Sequence, residues 1–88
     1  MYEALETIDF KDRPGSPPQQ ELLGRFRTET EAIEAARLAR ERFMTSGLQD
    51  FAWWIVRFEG AKLARWIADS SSDKEFMLDL RSGQLVER

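Results

Sequence analysis

A chain of 88 residues, 42% hydrophobic and 33% charged, with no cysteine and no histidine, has room for one domain and one modest core, burying roughly 60–65% of its unfolded surface. The two missing residue types exclude disulfides, thiolate catalysis, Ser-His-Asp and Cys-His arrangements, and Cys- or His-based metal sites. The net charge of −3 argues against a polyanion as the default partner, although residues 25–66 carry eight basic groups against six acidic ones.

Met1 to Glu6 lacks the basic and apolar pattern of a leader. The longest uninterrupted apolar run, Phe51 to Val56, is six residues, where a membrane span needs about 20. The expectation is a cytoplasmic chain, complete as written, with no membrane partner. Tyr2 to Phe10 alternates imperfectly and is rich in β-formers, which predicts a first strand. Residues 11–21 hold all three prolines and a glycine, which predicts a flexible loop because such a segment builds neither helix nor sheet. Leu22 to Arg27 predicts a second, short strand.

Thr28-Glu29-Thr30-Glu31 is a capping box: the Thr28 hydroxyl accepts from the Glu31 N–H while the Glu31 carboxylate reaches back to the N–H of Thr28. The helix that starts there is expected to run to about Ser46, with Ala32, Ile33, Ala36, Ala39, Phe43 and Met44 on its inner stripe. Gly47 is placed at the left-handed position after the helix, with Leu48 folding back onto Phe43. An inner face built of alanines lets a helix lie close to a sheet.

Beyond Gly47 the period changes from 3.6 to 2. Phe51–Phe58 predicts a strand, Glu59 to Lys62 a tight turn, Leu63–Ala68 the return strand and Glu75–Leu80 another, with Phe76, Leu78 and Leu80 on one face. Arg81 to Gln84 turns the chain again and Leu85-Val86 adds a short final strand. The fold class is α+β: an antiparallel sheet of about five strands, β-β-α-β-β-β with a short final strand in addition, and one long helix packed on one face. It forms a single domain over residues 1–88.

Neighbouring side chains on a strand point to opposite faces, so Trp53 and Trp54 cannot share one core. The set Trp54, Val56 and Phe58 is apolar throughout and is assigned to the helix side. Phe51, Trp53, Ile55 and Arg57 fall on the second face. The return strand is ambiguous between Leu63, Arg65 and Ile67 on one side and Ala64, Trp66 and Ala68 on the other. The second face is covered by the chain itself, by another copy, or by a partner.

No catalytic residue, cofactor or metal ligand set is read from the chain; carboxylates are plentiful but sit as solvated charges along the helix, and the chain is read as a non-enzyme. Asp69-x-Ser71-x-Asp73-x-Glu75 alternates oxygen ligands like a calcium loop but lacks its central glycine and distant glutamate, so Asx-type turns are the expectation. Arginines beside tryptophans on strands are how sheets stack single-stranded bases. With net acidity and only three lysines, nucleic acid is an alternative and not the first reading.

Gly24-Arg25-Phe26-Arg27-Thr28-Glu29-Thr30-Glu31-Ala32 resembles the strand-to-helix junction G-x-F-x-T-x-x-E-A of peptidoglycan-binding SPOR domains and of AP2-like, arm-type integrase DNA-binding domains. SPOR domains place a second helix after the third strand, and AP2-like domains place three strands before the helix; a hairpin after the helix departs from both. No functional residue is carried over from either, and the whole resembles small bacterial domains in general. The functional expectation is a small, non-catalytic protein-interaction module, homodimeric or bound to another protein, using an aromatic and arginine face with Phe51, Trp53, Ile55, Arg57 and Arg65. Single-stranded nucleic-acid binding by the same surface and small-molecule binding stand as alternatives.

Overall fold

The structure, a computed structural model, describes residues 1–61, 63–71, 75–78 and 82–87; for 75–78 and 85–87 it describes the backbone alone. The elements in chain order are β1 (Tyr2–Asp9), β2 (Gln19–Phe26), α1 (Glu29–Thr45), β3 (Phe51–Phe58), β4 (Trp66–Asp69), β5 (Glu75–Leu78) and β6 (Leu85–Glu87). The architecture is α+β: an antiparallel sheet in the order β2-β1-β3-β4-β5-β6, with α1 across one face. The final strand read at Leu85-Val86 is present as β6.

The helix begins where the capping sequence places it. Thr28 has extended backbone and its Oγ1 accepts from the N–H of Glu31 at 3.2 Å. The return half of the box differs: the Thr28 hydroxyl donates to Glu31 Oε1 at 2.9 Å, in place of a bond from the Thr28 N–H. Glu29 and Glu31 in the first turn and Arg42 in the last complement the helix dipole. Gly47 takes φ +80°, where a side chain would be strained. Leu48 does not fold back; it is exposed, its N–H bonded to the Ser46 hydroxyl, and Met44 is exposed as well. The helix ends at Thr45 with the Ser46 N–H and hydroxyl both closing on the Phe43 carbonyl. That side-chain cap substitutes for an apolar one.

Ala32, Ala36, Ala39 and Phe43 form the buried stripe of α1, with Ile33 packed at its margin. Opposite them lie Ala4, Ala52, Trp54, Val56, Trp66 and Ala68. The alanines let the helix approach, and the volume comes from the sheet: Trp54, Trp66 and Val56 are the largest fully buried side chains. Phe43 meets Trp54 edge-on at 5.5 Å, a geometry aromatic quadrupoles favour. The Trp54 Nε1 donates to Glu6 Oε2 at 2.7 Å; the equally buried Trp66 Nε1 finds no acceptor among the described residues. Two arginines tie the helix to the sheet, Arg65 to Glu29 at 2.8 Å and Arg40 to the Asp69 carbonyl at 3.3 Å.

Two boundaries and one face assignment depart from expectation. β2 takes in Gln19, Gln20 and Glu21, which pair with Ile8, Thr7 and Glu6; the polar residues read as loop are held by backbone bonds indifferent to side chain. The return strand begins at Trp66, and Leu63 is exposed. The turn closes tightly at Gly60, with the Ala61 N–H on the Phe58 carbonyl, and pairing resumes where the Arg65 N–H meets the Val56 carbonyl. Phe58, assigned to the helix side, stays half-exposed at the strand end, edge-on to Tyr2 at 5.3 Å. Leu80 and Arg81 lie outside the described residues, and the side chains of Phe76 and Leu78 are not described.

Candidate functional site

The face of the sheet opposite α1 is built from the odd-numbered residues of β1, β3 and β4, and antiparallel register sorts them into rows. At one end Glu3 stands between Arg25 of β2 and Arg57 of β3. Next, Leu5 stands between Leu22 and Ile55, and Ile55 faces Ile67. In the third row Thr7 lies between Gln20 and Trp53, and Trp53 faces Asp69. Asp9 opposite Phe51 closes the face. The arrangement therefore runs from a charged row through an aliphatic row to an aromatic one, and ends in aspartates.

Glu3 is largely buried, and both arginines bond it through Nε, Arg57 at 3.0 Å and Arg25 at 3.5 Å. The hydrogen bond from Arg57 holds the Glu3 carboxyl below the usual carboxylate range. Burial opposes the shift, and the Arg57 charge and the Arg25 bond and charge reinforce it. Glu3 thus locks three adjacent strands while leaving one net positive charge in its row. At the other end, Asp69 accepts from the Ser71 N–H and hydroxyl at 2.9 and 2.8 Å, the Asx turn expected of it. Asp73 lies outside the described residues.

Leu5 and Thr7 on the middle strand are buried, Trp53, Ile55 and Ile67 are half-buried, and Leu22 and Phe51 at the margins are exposed. The Phe51 and Trp53 rings lie 5.6 Å apart, tilted against each other. Among the described residues all six strands belong to one sheet and the one helix packs on the other side. On that side Phe51 is exposed and Trp53 only partly so. Beside Phe51, the loop after β1 forms an open concavity of about 380 Å³ with Phe10, Arg13 and Pro18 among its walls. The Arg13 guanidinium sits 4.8 Å over the Phe10 ring.

Four of the five residues singled out from sequence, Phe51, Trp53, Ile55 and Arg57, come together on this face. Arg65 does not. It precedes β4, reaches over to Glu29 on the helix side, and stands 6.0 Å from the Tyr2 ring; the helix terminus offers a carboxylate that the open face does not. Arg25, one of the strand arginines weighed for nucleic-acid binding, joins this surface; Glu3 and Leu22 complete it and were missed, because the register of β2 against β1 is set by long-range pairing.

Compared with protein-family models, with curated proteins and with solved structures, the chain matches none. Its residues alone therefore carry the functional reading. Among the described residues no helix is long and apolar enough to cross a membrane, and no group of three or more acidic side chains is placed to hold a metal ion.

Proposed function

We propose that this protein is a non-catalytic interaction module whose binding surface is the open sheet face around Phe51, Trp53, Ile55 and Arg57. The observation that supports this most is the contrast at two adjacent positions: Trp54 is completely buried under the helix, whereas Trp53, on the opposite face, is only half-buried beside an exposed Phe51. Tryptophan and arginine at the centre and rim of an apolar patch are the residue types that dominate binding energy at protein interfaces. A cytoplasmic setting belongs to this reading and agrees with a small domain that dispenses with disulfides.

The electrostatics favour a protein over a nucleic acid. Arg57 and Arg25 are both engaged by Glu3, Arg65 is engaged on the far side by Glu29, and the same face ends in Asp9 and Asp69. A groove that tracks phosphates needs an uncompensated basic track. Acrylamide quenching with Trp54→Phe and Trp66→Phe as the background isolates Trp53, which is expected to be the accessible indole. An inaccessible Trp53 in a monomer would overturn the reading. Titration with short oligonucleotides at low salt is expected to leave that emission unchanged, and saturable quenching would favour nucleic acid instead.

A further inference from the structure

We draw no further inference here: the strongest candidate, the open concavity between the β1–β2 loop and Phe51 with the Arg13 guanidinium over the Phe10 ring, has Asp9 in its wall beside Lys11 and Arg13, and nothing in the structure shows what would fill it.

Discussion

The two faces of β3 differ in how they are finished, though their compositions are similar. Toward the helix, Trp54 is enclosed by alanines and Phe43, and its indole N–H is bonded to Glu6. Away from the helix, Trp53 and Phe51 lean on each other and are bounded by charges at both ends of the strands. One face is packed under the helix, and on the other no helix packs among the described residues. A large aromatic residue is therefore evidence of a core only when the small residues that make room for it are found opposite. Here the alanines of α1 identify which tryptophan they serve.

The contrast is tested most severely by truncating each tryptophan in turn. Trp54→Ala should cost about 3–5 kcal/mol in chemical denaturation, the range for emptying a large buried aromatic site. Trp53→Ala, measured at concentrations where the chain is monomeric, should cost less than about 1 kcal/mol. Equal costs would mean that both faces are core.

A smaller effect separates the two buried indoles. Trp54→Phe leaves the Glu6 carboxylate without its donor and should lose about 1.5–3 kcal/mol, the range for hydrogen bonds to charged groups. Trp66→Phe gives up a donor that has no acceptor among the described residues and should lose less. Urea midpoints of the two variants decide the order.

On the open face, Glu3→Gln should cost about 1–2 kcal/mol, by weakening charge-assisted bonds to two arginines that are themselves partly exposed. It should also change the acid limb of the stability profile. Because the folded Glu3 carboxyl titrates below its ordinary value of 4.5, its contribution is fully present above that pH and is lost as pH falls through the lowered folded value. The wild type should lose stability over that window more steeply than Glu3→Gln. Parallel slopes would mean that Glu3 is not held by its arginines. The smallest of these effects belongs to the helix start, where Thr28→Ala should cost about 1 kcal/mol through loss of the cap.

Local chemistry made part of this molecule legible in advance. The capping box located α1 to the residue, the change of period located β3, and the lone charge among Phe51, Trp53, Ile55 and Arg57 identified which parity faces away from the helix. Features that depend on distant partners were not legible. Gln19 to Glu21 look like loop and become strand because β1 supplies backbone partners. Arg65 looks like a member of the open face and turns instead to Glu29, thirty-six residues earlier. The Glu3 bridge needs β2 and β3 on either side of β1, an adjacency that no period in the sequence announces.

The outer strand β2 carries an irregularity against β1. Ala4 pairs with Gly24 and Leu5 with Leu22, so Leu23 is an extra residue on the β2 side. The bulge sends Leu22 to the open face while Leu23 packs with the core. Gly24 has no Cβ where the Phe26 ring tip would lie 2.9 Å from one. An uninterrupted eight-residue rim would invite further chains to add strand by strand into a ribbon without end. A rim with a kink in its hydrogen-bond ladder is a poor template for that growth.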